Sequence, residues 1–175
     1  MQVSRVLAGA AGLVALLLFA LYAFSWQGQT SGAPGTAGDQ GEAGTTLPME
    51  KLELVTSAGV RTLNVEVART IDQQAKGLMF RSTLADDHGM LFPHDKPREV
   101  SMWMRNTYIP LDMVFIRADG TVHRIAERTE PLSEKIVSSQ GEVAAVLELA
   151  GGAAERLGLK AGDKVRHASF GRAPD

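Results

Sequence analysis

The chain has 175 residues, no cysteine, a formal net charge of -2 and 45% hydrophobic residues. The missing thiols exclude disulfides, thiolate zinc sites, iron–sulfur clusters, a cysteine nucleophile and lipid attachment through an N-terminal cysteine. The balanced charge, with no basic stripe interleaved with aromatics, argues against nucleic acid as a partner.

Nineteen uncharged residues run from Val6 to Phe24, with Arg5 before them. As a helix this stretch would be ~28 Å long, enough to cross a bilayer core. The charge in front predicts the N-terminus inside and the rest outside, on the periplasmic side. Tyr22 and Trp26 fall at the outer end, where amphipathic rings favour the interface. The alternative is a cleaved signal peptide. The run exceeds the usual signal length of ~7–15 apolar residues and lacks a clear Ala-x-Ala site, which favours an uncleaved anchor over residues 1–26. Residues 27–48 carry six glycines among Ser, Thr, Ala, Gln and Pro. Such a composition cannot repay its ordering entropy, so a flexible linker spanning ~25 Å is expected.

Residues 49–175 have the length of one domain, ~100–150 residues, with 17 basic and 18 acidic side chains once Arg5, Asp39 and Glu42 are set aside. Lys51–Val55 and Leu63–Val67 alternate around the turn Ser57-Ala58-Gly59, which predicts a hairpin with one buried face. Thr70-Ile71-Asp72-Gln73 is a capping-box pattern, followed by Ala75 and Leu78 at helical spacing. A short helix to about Phe80 is expected. Gly89–Phe92 reads as a strand stopped by Pro93. Val100–Arg105 reads as another, with Met102 and Met104 on one face and Trp103 and Arg105 on the other. Leu111–Arg117 and Thr121–Glu127 flank the hairpin signal Asp119-Gly120. Val143–Leu149 is a further strand, Gly152–Leu157 one short helix, and Lys164–Phe170 a closing strand. Together these predict a mainly β, compact, barrel-like domain of about seven short strands and two short helices. A parallel doubly wound sheet has too few helices for its crossovers.

Several segments resemble a known family. They are Gly77-Leu78-Met79-Phe80-Arg81, Gly89-Met90-Leu91-Phe92, the run from Met102 to Phe115, Val146-Leu147-Glu148-Leu149 with Gly151-Gly152, and Ala161-Gly162-Asp163-Lys164-Val165. Together they are similar to the domain-of-unknown-function family number 192, over about Leu52 to Ser169. The resemblance implies a compact β-barrel-like fold, often exported or membrane-tethered in prokaryotes. It implies no activity and carries over no catalytic residue.

Chemistry is expected around the polar stretch Arg105 to Asp112, which lies between two apolar strands and contains Pro110. Asp112, between Leu111 and Met113, and Glu148, in Val-Leu-Glu-Leu, must find cations or several donors, because an unpaired buried charge costs several kcal/mol or more. Arg81 and Arg105 are the expected partners. Three readings follow: a structural network, a pocket for a small anionic or sugar-like ligand, or an acid–base pair of Asp112 and Glu148. The candidate groove comprises Arg81, Trp103, Arg105, Asn106, Asp112 and Glu148.

Met79, Met90, Met102, Met104 and Met113, with His88 and His94, raise the possibility of Cu(I). Their apolar neighbours favour core packing, so no metal or cofactor is expected. His123 and His167 complete the histidines, and none forms an HxH or HExxH pattern. A phosphate loop, a GxSxG elbow and an EF-hand are also missing from the sequence. The function expected is a noncatalytic extracytoplasmic binding or accessory module. A hydrolase or lyase on envelope carbohydrate and a structural role in an envelope complex are the alternatives. Protein partners are left unnamed by the sequence.

Overall fold

The computed structural model describes residues 46–170. The expected anchor and nearly all of the expected linker lie outside the described residues.

Seven strands form one sheet: β1 (Met49–Thr56), β2 (Gly59–Val67), β3 (His88–Met102), β4 (Leu111–Ile116), β5 (Val122–Thr129), β6 (Val137–Ala150) and β7 (Lys164–Arg166). Their order is β5-β4-β6-β3-β2-β1-β7. Every neighbouring pair is antiparallel except β2 and β3, which are joined in parallel through the helical connection that begins at Thr70. The sheet curls into a half-barrel whose two edges meet at one end. There Thr121 bridges Lys164, and the Val165 and Val122 amides donate to the Gly120 and Asp163 carbonyls.

Alternation along the strands builds two cores. Leu52, Leu54, Val65, Leu91, Val114, Leu147, Leu149 and Val165 lie on the face that all seven strands share. Helix α2 (Ala153–Arg156) adds Ala153 and Ala154 to it. On the other face, Met90, Phe92, Met113, Phe115 and Val146 pack with Leu78, Met104 and Leu111. Met90, Met104 and Met113 are fully buried there, as gap-filling thioethers are.

Helix α1 (Ile71–Lys76) carries the expected capping box, with Thr70 Oγ1 accepting from the Gln73 amide and Gln73 Oε1 accepting from the Thr70 amide. It ends at Gly77, whose φ of 48° and closeness to the Phe92 ring favour glycine. The helix buries no residue of its own and Ile71 is exposed, so only Leu78, in the turn beyond, provides the expected apolar contact.

Several element boundaries differ from expectation, among them the start of β6 at Val137 rather than Val143 and the end of α1 at Lys76 rather than Phe80. Pro93 does not end β3. It sits where the register against β6 slips, between the pairs Pro93–Ala145 and Arg98–Val143, so its missing N–H falls in an interrupted ladder. Met102 is the last residue of that strand, and Trp103 to Pro110 form a loop in which Asn106 takes a φ of 55°. Trp103 and Arg105 are therefore loop residues, and Met102 and Met104 do not share a strand face. The closing strand is only Lys164–Arg166, followed by a 3-10 turn over Ala168–Phe170.

Candidate functional site

Asp112 and Glu148 are adjacent in the sheet and do not meet. The β4–β6 register pairs Asp112 with Leu149 and Met113 with Glu148. Paired residues share a face and successive residues alternate, so the two carboxyls point to opposite faces. The expected acid–base pair is not assembled. Neither acid takes Arg81 or Arg105 as its partner, which corrects the pairing expected from sequence.

Asp112 is fully buried and serves the backbone. Its Oδ1 accepts from the amides of Arg128 at 2.7 Å and Gly152 at 2.9 Å, and its Oδ2 from Ala154 at 2.8 Å. These donors are the bulge in β5, where Leu111 pairs with Thr129 but Met113 with Ala126, and the first turn of α2. Gly152 adopts a φ of 80° there, with arginine side chains crowding the position a Cβ would take. Backbone N–H groups without intrahelical partners supply what a cation was expected to supply.

Glu148 lies on the other face, in a cross-sheet row that runs Glu66, Met90, Glu148, Met113 through β2, β3, β6 and β4. It is 4% exposed and makes no hydrogen bond or ion pair among the described residues. Burial alone pushes its carboxyl up to about 8, because the charged form loses its hydration without gaining a partner. Glu148 lines a small open cavity of about 150 Å³. That cavity is walled by Met79 and Gly77 beyond α1, by Phe92 and Met102 of β3, and by Trp103 and Thr107 of the loop.

Glu66, at the far end of the row, takes the opposite solution. It is 1% exposed and meets Arg81 through a bidentate pair, Nη1–Oε1 2.5 Å and Nη2–Oε2 2.9 Å. The Leu47 amide adds a third donor at 2.7 Å. Burial alone would raise this carboxyl, but the Arg81 guanidinium and the Leu47 amide outweigh it and hold it below the usual range. This pair lines a second, wider cleft of about 1020 Å³, walled by Leu47, Phe80 and Met90 and sharing Lys76, Gly77 and Met79 with the smaller cavity. Residues 76–79 thus separate two clefts built over one row of the sheet.

The six expected groove residues divide accordingly. Trp103 and Glu148 share the small cavity. Arg81 lines the wide cleft. Asn106 joins the dividing segment to the loop, its carbonyl accepting from the Phe80 amide at 2.8 Å and its Nδ2 lying 3.9 Å from Met79 Sδ. Arg105 stacks 4.7 Å above the Trp103 ring and bonds Glu134 at 3.1 Å. Asp112 belongs to the opposite face. Sequence reasoning missed Glu66, and it took Met79 for core packing and Thr107 only as part of the polar stretch Arg105 to Asp112. Glu66 alternates with Val65 and Val67 and so reads as a solvent-facing position. His94 is not near these groups: it lines a separate surface cleft with Arg69, Asp95 and Arg98.

A sequence model of the family DUF192, described as Uncharacterized ACR, matches residues 53–167. No curated protein matches the chain. Among solved structures, a candidate transcription regulator from Sinorhizobium meliloti 1021 is 46% identical with a TM-score of 0.68, covering 71% of this chain and 97% of that one. A protein of unknown function from Novosphingobium aromaticivorans DSM 12444 is 40% identical, also with a TM-score of 0.68, covering 79% of this chain and 99% of that one.

Proposed function

This chain belongs to the uncharacterised family DUF192, and we propose that its domain is a noncatalytic binding module held outside a membrane by the N-terminal apolar segment. Its site is the cavity at Glu148. One observation carries this: a buried carboxyl with no partner of its own opens onto a walled space beside an exposed tryptophan. A fold has no use for such a group, because replacing it by an apolar residue would remove the cost of its burial.

The chemistry of the walls favours a neutral, sugar-like ligand over an anionic one. Arg81 is committed to Glu66 and Arg105 to Glu134. Lys76 is the one cation lining the small cavity among the described residues. At neutral pH the Glu148 carboxyl is mostly protonated and can both donate and accept, as hydroxyl recognition requires. The volume equals about five waters, room for roughly one sugar ring, with the aromatic Trp103 in its wall. A site of this kind also explains why the loop is polar between two apolar strands.

The test is calorimetric titration of neutral monosaccharides and their N-acetylated forms, at pH 6.5 and pH 9.5, into the wild type, Trp103→Ala and Glu148→Leu. Binding to the wild type at pH 6.5 that weakens at pH 9.5 and in both variants is expected. Binding that survives Glu148→Leu, or heats indistinguishable from dilution across the panel, overturns the assignment. The outward placement is tested separately by protease protection of the domain in intact and permeabilised cells.

A further inference from the structure

Eight large hydrophobic side chains are exposed among the described residues, and five of them, Phe80, Trp103, Tyr108, Leu132 and Ile136, surround the loop Trp103 to Pro110. They are between 46% and 59% exposed. The fold holds them there by specific contacts. The Phe80 amide donates to the Asn106 carbonyl, and its ring meets Tyr108 edge-on at 6.1 Å. The Leu132 amide donates to the Thr107 carbonyl at 3.0 Å, and the Met104 amide to the Ser133 carbonyl at 2.9 Å. Phe80, Asn106 and Leu132 also adopt left-handed backbone conformations, with φ of 65°, 55° and 61°. Such strain in non-glycine residues persists where the surrounding structure enforces it, and it gathers at functional surfaces. A patch of this size that is both strained and solvent-facing marks an interaction site.

We propose that this patch seats the domain on the bilayer surface beside which its tether holds it. The described chain begins at the same place: Thr46 and Leu47 line the wide cleft together with Phe80, and the Leu47 amide is bonded to Glu66. The linker expected from the sequence therefore joins the domain next to the patch, and its ~25 Å average span leaves the surface within reach. Tryptophan and tyrosine rings have the amphipathic character of the headgroup region. With Arg105 paired to Glu134 and Arg81 to Glu66, the patch has little net charge, so neutral phosphatidylcholine is the surface it fits. The cavity at Glu148 opens beside the same loop, which places its mouth at the membrane.

The test uses residues 46–175, which hold both cores and the whole of the family match over 53–167. With residues 1–45 replaced by a hexahistidine tag, the domain is bound to phosphatidylcholine vesicles containing nickel-chelating lipid. Trp103 is then the sole tryptophan, because the other, Trp26, lies in the replaced segment. Brominated phosphatidylcholine is expected to quench Trp103, and the triple variant Phe80→Ser, Tyr108→Ser, Ile136→Ser to lose that quenching with its melting temperature retained. Without the nickel lipid, the triple variant is expected to partition roughly tenfold or more weakly than the wild type. Unquenched emission from the tethered wild type overturns the proposal, as does equal quenching of the variant. Shielding of Trp103 from iodide without vesicles would assign the patch instead to a second copy of the chain. Because the tether is artificial, failure here is distinct from failure of the anchoring read from residues 6–24.

Discussion

Glu148→Gln tests the central feature of the site without changing its shape. The unfolded carboxyl releases its proton near 4.5, whereas the folded one holds it to about 8. Between those values the native state carries one more proton than the unfolded chain, so stability is complete below about 4.5 and falls as pH rises toward 8. The slope is about 1.4 kcal/mol per pH unit, and the full window is worth roughly 5 kcal/mol at most. The glutamine variant has no such slope. His94 and His167, both held below the ordinary histidine value chiefly by burial, act in the opposite sense and lose stability as pH falls below 6.5. They are present in both proteins and cancel in the difference. Urea denaturation from pH 5 to pH 9 should therefore give nearly equal stabilities at pH 5 and a variant several kcal/mol more stable at pH 8.5. For a domain of this size that corresponds to on the order of 10 °C in Tm. Parallel pH profiles for the two proteins would refute the reasoning. They would mean that a cation, such as Lys76 of the same cavity, neutralises Glu148 in solution.

Two further substitutions separate structure from site. Asp112→Ala strands two buried amides and the part-buried amide of Arg128 and should cost roughly 2–5 kcal/mol by urea denaturation, with Asp112→Asn losing less because one acceptor oxygen remains. A cost below about 1 kcal/mol would show that the α2 turn and the β5 bulge do not depend on this carboxylate. Arg81→Met leaves Glu66 buried without its counter-charge and should cost about 3–5 kcal/mol at pH 7. Much of that loss should return at pH 5, as Glu66 becomes protonated, and a deficit that does not change with pH would count against it.

Much of the fold is legible because it depends on local pattern. Alternation at Leu52, Leu54, Val65 and Val67 marks the inner face, Thr70 and Gln73 mark the helix start, and Asp119-Gly120 marks the β4–β5 turn. The extent of β3 is not legible, since nothing local says that Pro93 falls in a bulge against β6 rather than in a regular ladder. The acids show the same division. Flanking Leu and Met establish that Asp112 is buried, and flanking Leu residues do so for Glu148. Whether the partner of Asp112 is a guanidinium or three amides depends on β5 and α2, whose donors are 16 to 42 residues away from it. Glu66 is hidden for the same reason. Its burial comes from a covering segment 15 residues on, not from its own strand.

The row from Glu66 to Met113 is why the site is proposed on this face and not on the one carrying Asp112. Two glutamates lie on neighbouring sides of Met90, both nearly excluded from water. One receives a guanidinium and a backbone amide and stays ionised; the other receives neither and holds its proton. The difference comes from residues 76–81, which bond Glu66 through Arg81 and bring Lys76, Gly77 and Met79 to the cavity of Glu148 without a hydrogen bond to it. Stability alone would favour a partner or an apolar residue at both positions. A carboxyl left bare on one side, under the same covering segment that satisfies its neighbour, is the arrangement that the proposed external ligand accounts for.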